Sequence, residues 1–144
     1  MTKHYGIHQS IRRRLLTAFA TTLLLPLSVF AAEGTKHYEP GLVETELAAG
    51  NTVLLDFAAS WCGTCKRQDR VISKLRSDNT AYNENIIFIR VDWDTYSDHE
   101  ISIMNNIPRR STLILLRGDE ELGRIVAGTS EAQIKALMDL GLST

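Results

Sequence analysis

Cys62 and Cys65 are the only cysteines of the chain, and two residues separate them. In the residues that follow, apolar side chains recur every three to four positions and the charged side chains lie mostly between them. This spacing predicts an amphipathic helix that begins near Cys62. Unpaired N–H groups and the positive end of the helix dipole stabilise a thiolate at such a position. We therefore expect Cys62 to attack a substrate disulfide and Cys65, one turn deeper, to attack the resulting mixed disulfide. Lys66 adds a positive charge nearby, although we favour its interpretation as a solvated helix residue.

Two other uses of the cysteine pair are weighed against redox chemistry. A purely structural disulfide would close a very short loop, and would stabilise the fold by less than the ~3 kcal/mol expected of a loop of about 15 residues. A structural zinc site needs four ligands. Beyond residue 31 the chain offers only His37 and His99 besides the cysteines, without a recognisable spacing. We therefore expect a redox-active disulfide with no metal and no cofactor.

The elements that must position the cysteines follow from the hydrophobic pattern. Runs of apolar and β-branched residues predict buried strands, and a Gly118-Asp119 turn predicts that the last two strands form a hairpin. Strands separated by helices form a parallel βαβ unit. The sequence thus predicts an α/β fold with a mixed four-stranded central sheet and helices on both faces. The predicted helices span 42–49, 62–79, 97–106 and the residues after Ser130; the predicted strands span 53–58, 86–92, 112–117 and 122–127.

Residues 1–31 have the pattern of a signal peptide. They carry four basic and no acidic residues, followed by the apolar run Leu15 to Phe30 and small residues before a cut after Ala31. The run is shorter than the roughly 20 residues of a spanning helix, so we favour cleavage over an uncleaved membrane anchor. The arginine cluster also resembles a twin-arginine signal, but a Sec signal is the favoured interpretation. We expect a periplasmic protein with a flexible lead-in over 32–41 and one domain over 42–144.

The charge balance argues against nucleic acid as a partner. Four of the 16 Lys and Arg residues lie in residues 1–31, whereas none of the 17 Asp and Glu residues do, so the remainder has a net charge near −5. Phosphate binding requires a basic face, which this balance does not favour.

The segment 56–66, with the sequence Asp-Phe-Ala-Ala-Ser-Trp-Cys-Gly-Thr-Cys-Lys, resembles the active-site strand, turn and helix of the thioredoxin superfamily. The segments 86–92 and 112–128 are similar to the central strand and the closing hairpin of that family. The resemblance covers roughly residues 42–142 and is strongest to exported members. It implies a thioredoxin-like three-layer sandwich.

The resemblance also implies roles for individual residues. Cys62 would be the attacking thiol and Cys65 the resolving thiol. Trp61 would pack beside them and shape the docking surface. Asp56 falls where many family members bury an acid behind the resolving cysteine. Burial would raise the pKa of this carboxyl group, which could then accept the proton of Cys65.

Two positions depart from the family pattern. Thr64 stands where the family usually has proline, between the cysteines. A gapless match places Ser111 where the family has a cis-proline opposite the cysteines, whereas a match slipped by three residues would use Pro108. We prefer Ser111, because Thr112 and the strand after it then fall in place. The Arg110–Ser111 peptide is either cis, at a cost of about 2.5–4 kcal/mol without proline, or trans with an altered groove.

The resemblance implies a protein-disulfide reductase or interchange enzyme that acts on exported proteins as a monomer. Reduction in an oxidising compartment needs electrons, so we expect a membrane electron donor. Contact with the membrane itself is expected only if the signal peptide is not cleaved. Two alternatives stay open. One is a non-catalytic binding module in which the cysteines only cross-link, and the other is metal or cluster binding through the same cysteines.

Overall fold

The computed structural model describes residues 34–143. The predicted signal peptide lies outside this range and stays a prediction. The helices and strands of the described chain are, in order, β1 (Lys36–His37), α1 (Leu42–Ala48), β2 (Thr52–Ala58), α2 (Gly63–Asp78), α3 (Ala81–Asn85), β3 (Ile86–Asp92), α4 (Trp93–Tyr96), α5 (Glu100–Met104), β4 (Thr112–Arg117), β5 (Glu120–Val126) and α6 (Glu131–Leu140).

The sheet is mixed, as expected, and has the strand order β1-β3-β2-β4-β5. The central strand β2 pairs parallel with β3 and antiparallel with β4. β1 runs parallel to β3, and β5 closes the other edge antiparallel to β4. In this register Asp56 of β2 lies beside Arg90 of β3 and Leu113 of β4. The carboxyl end of β2 leads directly into the cysteine segment.

Two hydrophobic cores lie on the two faces of the sheet, because successive side chains of β2 point to opposite faces. Leu54 belongs to the core that α2, α3 and α6 cover. Val53, Leu55 and Phe57 belong to the core on the other face, against α1, α4 and α5. Every residue of β2 is buried, which explains its continuous apolar sequence. This arrangement confirms the three-layer α/β sandwich.

Three details of the predicted fold differ from the structure. The sheet has five strands rather than four, because Lys36 and His37 pair with β3 inside the segment that we expected to be a flexible lead-in. The short helix α3 follows α2 and was not predicted. The helix predicted over 97–106 is the shorter α5, and a separate short helix, α4, precedes it and was not predicted; each has its own cap. Within residues 34–143, no helix has the length and apolar character needed to cross a bilayer.

Candidate active site

The two cysteines form a disulfide at the start of α2. Cys62 is the N-cap residue of this helix, in an extended conformation, and Cys65 lies in its first turn. The backbone N–H of Cys65 donates a hydrogen bond to Cys62 Sγ at 3.1 Å. A sulfur atom thus occupies the position where a capping oxygen normally accepts from the helix N-terminus. Negative charge on Cys62 would be stabilised there by the N–H group and by the helix dipole.

Both sulfur-bearing residues lie in an apolar setting. Cys65 is fully buried, whereas 5% of Cys62 is exposed. Ala58 and Ala59, at the end of β2, complete the small buried cluster, and Trp93 packs against it. Cys62 is therefore the sulfur that a substrate can approach, and Cys65 can react only with Cys62.

Ser111 lies against both cysteines. Its Oγ is 3.2 Å from Cys62 Sγ and 3.1 Å from Cys65 Sγ, and the residue is fully buried. The structure therefore places Ser111, rather than the exposed Pro108, opposite the disulfide. The Arg110–Ser111 peptide is trans, and Ser111 has a φ of 62°, in the left-handed region that favours glycine.

Gln68 is a polar residue with no exposed surface on the buried side of α2. Its Nε2 donates to the backbone carbonyl oxygens of Ser111 at 3.1 Å and Gly128 at 2.9 Å. We did not predict a role for Gln68. The available signal was its position on the apolar stripe that also contains Ile72 and Leu75, where a polar side chain must find buried partners.

Asp56 is buried on the face of the sheet that α2 covers. Burial raises the pKa of its carboxyl group from 3.8 to about 6, and the positive charge of Arg90 opposes this rise. Its Oδ2 accepts a hydrogen bond from Arg90 at 3.3 Å, whereas Oδ1 has no hydrogen-bond partner among the described residues. The described hydrogen bonds of Asp56 do not reach Cys65, so its predicted role in proton transfer rests on burial and on its pKa.

Trp61 forms an exposed aromatic surface beside the disulfide, with 57% of the residue accessible. Its Nε1 donates to both carboxylate oxygens of Asp94, at 2.9 and 3.2 Å. The Arg110 guanidinium lies over the indole ring, 4.4 Å from the ring centroid. The indole is thus held by a carboxylate at its edge and a cation on its face.

Lys66 is exposed on α2, in agreement with a solvated helix residue. Residues 34–143 contain no group of three or more His, Cys, Asp or Glu side chains arranged to hold a metal ion. The Cys62–Cys65 disulfide and the side chains in contact with it are the reactive groups that the geometry of the described site brings together.

Comparison with known proteins gives a consistent result. The family model Thioredoxin matches residues 36–140. Thioredoxin H2-1 of Oryza sativa subsp. japonica is 33% identical over 92 residues, which span 64% of this chain and 62% of the rice protein. Thioredoxin-2, mitochondrial, of Schizosaccharomyces pombe is 34% identical over 100 residues, or 69% of this chain and 68% of the yeast protein. Among solved structures, Trxlp from Edwardsiella tarda EIB202 superposes with a TM-score of 0.63 and 28% identity, over 72% of this chain and 98% of that protein.

Proposed function

Because this chain belongs to the thioredoxin family, whose members are thiol–disulfide oxidoreductases, we propose that it reduces disulfides of exported proteins through Cys62 and Cys65. The observation that carries the proposal is the Cys62–Cys65 disulfide at the N-terminus of α2, with Cys62 Sγ accepting the N–H of Cys65. This geometry stabilises a thiolate on the more accessible of the two sulfurs.

The reaction follows from the positions of the two sulfurs. The Cys62 thiolate attacks one sulfur of the substrate disulfide, so that a mixed disulfide forms and the substrate S–S bond breaks. The electron pair leaves with the other substrate sulfur, which takes a proton from water. Cys65 then loses its proton and attacks Cys62 Sγ, which regenerates the Cys62–Cys65 disulfide and releases the second substrate sulfur as a thiolate. Two electrons pass from the protein to the substrate.

Asp56 supports the second attack. Its pKa of about 6 is close to neutrality, so the carboxylate can take up a proton at little cost when Cys65 becomes a nucleophile. The strand β2 places it on the α2 side of the sheet, the side from which Cys65 approaches the core. We propose Asp56 as the proton acceptor for Cys65.

The exported location and the direction of electron flow rest on the sequence. The pattern of residues 1–31 supports a periplasmic enzyme, and an oxidising compartment requires a membrane electron donor to reduce the Cys62–Cys65 disulfide again. We propose that the protein works as a monomer, since one chain contains both sulfurs and every residue placed around them.

Reduction of insulin with dithiothreitol as the electron source tests the chemistry. The wild-type protein should accelerate insulin reduction, and Cys62→Ser should abolish the acceleration. Reduced Cys65→Ser, mixed with insulin after dithiothreitol has been removed, should accumulate a mixed disulfide through Cys62. Arg67→Gln, an exposed position on the same helix, serves as a control that should retain activity. Activity that persists in Cys62→Ser would show that Cys62 is not the nucleophile.

Titration against glutathione tests the direction, and cell fractionation tests the location. A reduction potential near the −120 mV or so of a strong periplasmic oxidant would reverse the proposed direction. Recovery of the full-length chain from the cytoplasm, with no shortened form in the periplasm or at the membrane, would contradict export.

A further inference from the structure

We propose that the Ser111 hydroxyl donates a hydrogen bond to the Cys62 thiolate of the reduced protein and is a catalytic group of the exchange reaction. The inference rests on the proposed role of Cys62 as the attacking thiol. Its basis is the position of Ser111 Oγ, 3.2 Å from Cys62 Sγ and 3.1 Å from Cys65 Sγ. Disulfide sulfurs carry no proton, so in the oxidised protein the hydroxyl is the donor, with its single proton directed to one of the two sulfurs.

The backbone of Ser111 is held on both sides. Its N–H donates to the carbonyl of Phe57 at 2.7 Å, and its carbonyl accepts from the N–H of Ala127 at 2.8 Å. The same carbonyl accepts from Gln68 Nε2 at 3.1 Å. These three hydrogen bonds hold a non-glycine residue at a φ of 62°, a conformation that is uncommon without such support. The hydroxyl therefore stays beside the sulfurs without the residue having to reorganise.

A hydrogen bond at this position is worth more than one at the surface. Ser111 has no exposed surface and Cys62 is 5% exposed, so little water competes for the thiolate. Hydrogen bonds to a charged acceptor are roughly twice as strong as those between neutral groups. Together with the Cys65 N–H, the reduced Cys62 sulfur would have two donors. Loss of one donor should reduce the fraction of Cys62 that is a thiolate at pH values below neutrality.

Gln68 is the positioning residue in this arrangement, since it contacts Ser111 and Gly128 but neither sulfur among its described hydrogen bonds. Its buried amide ties α2, which holds the cysteines, to the segments on both sides of the hairpin strands. Gln68→Met removes these two donations and keeps a side chain of similar volume. It should shift the pH dependence of Cys62 in the same direction as loss of the hydroxyl, by a smaller amount.

The test measures alkylation of Cys62 by iodoacetamide between pH 5 and pH 9. A Cys65→Ala background leaves Cys62 as the only thiol. Ser111→Ala removes the hydroxyl, and Ser111→Gly removes it with a residue that accepts a positive φ without strain. Both should lower the rate at pH 6 by about tenfold and move the midpoint of the pH profile upward. The rate on the high-pH plateau should stay within about twofold.

Thr112→Val is the matched control, because the neighbouring hydroxyl donates to the Arg109 carbonyl at 2.8 Å and not to a sulfur. Its pH profile should overlay that of the Cys65→Ala parent. Profiles of Ser111→Ala and Ser111→Gly that also overlay the parent would overturn the role of Ser111 and leave the proposed function intact. A parent whose Cys62 reacts no faster near neutral pH than a small-molecule thiol would overturn both.

Discussion

Asp56→Asn should stabilise the oxidised protein at neutral and alkaline pH. The carboxyl group is buried, and its pKa is raised from 3.8 to about 6 by burial. Between these two values the folded protein binds more protons than the unfolded chain, so the free energy of unfolding falls as the pH rises through this window. Above about pH 6 the protein retains an ionised, buried carboxylate with only Oδ2 hydrogen-bonded. An amide of the same shape removes this cost.

The magnitude follows from the pKa difference. At about 1.36 kcal/mol per pKa unit, the rise from 3.8 to about 6 corresponds to roughly 3 kcal/mol. Most of this, about 2.5 kcal/mol, develops between pH 4 and pH 8. The advantage of Asp56→Asn over wild type in unfolding free energy should therefore grow by about 2.5 kcal/mol over this range. The rate of insulin reduction should fall in Asp56→Asn, because the amide cannot accept the proton of Cys65.

Urea unfolding of both oxidised proteins at pH 4, 6 and 8 measures the effect. Asp119→Asn, at an exposed turn, is the control and should change the unfolding free energy by less than about 0.5 kcal/mol at each pH. A difference between Asp56→Asn and wild type that does not change with pH would refute the raised pKa of Asp56. Full insulin-reduction activity in Asp56→Asn would refute its role as proton acceptor.

Two further substitutions test the packing around the site and the end of the fold. Ser111→Pro should destabilise the protein by about 2 kcal/mol or more in urea unfolding, because proline cannot adopt a φ of 62° or donate to Phe57; an unchanged midpoint would contradict the description of Ser111. Gly141→Ala should lower the free energy of unfolding by about 1–3 kcal/mol, because the added Cβ would lie 2.8 Å from Ile86 Cγ1 and 3.1 Å from the Met138 carbonyl oxygen. Gly63→Ala, whose Cβ meets no atom within 4 Å, should leave the free energy of unfolding unchanged, and equal values for the two variants would contradict this packing.

The strands of the central sheet could be predicted from the sequence because burial on both faces requires an unbroken apolar run. β3 and β4 have the predicted bounds, 86–92 and 112–117. β1 could not be found in this way. It consists of Lys36 and His37, which carry no hydrophobic pattern, and it exists only through pairing with β3.

The bounds of α4 and α5 depend on side-chain caps. Asp92 Oδ2 accepts the N–H of Thr95 at 3.1 Å and starts α4, which ends before the predicted 97–106 helix begins. His99 Nδ1 accepts the N–H of Ile101 at 3.3 Å and starts α5. Histidine is not among the preferred N-cap residues, so its presence gave no start signal.

Part of the active site could also be predicted from the sequence. The spacing of Cys62 and Cys65 at the start of an amphipathic stripe predicted a helix N-terminus, and the resemblance to the thioredoxin superfamily placed Ser111 across from it. The left-handed conformation of Ser111 was not predictable, because it depends on hydrogen bonds to Phe57 and Gln68, which are distant in the sequence. Local propensity alone disfavours this conformation for serine.

The direction of β1 determines where the chain is attached to whatever precedes it. β1 runs parallel to β3 and therefore to β2, so Gly34 and Thr35 lie toward the amino ends of these two strands. Thr35 accepts a hydrogen bond from Arg76 near the last turn of α2, and Cys62 caps the first turn, about 20 Å away along the helix. A tether, tag or fusion joined ahead of Gly34 would therefore be attached near the last turn of α2 and leave the disulfide accessible at the opposite end of the helix.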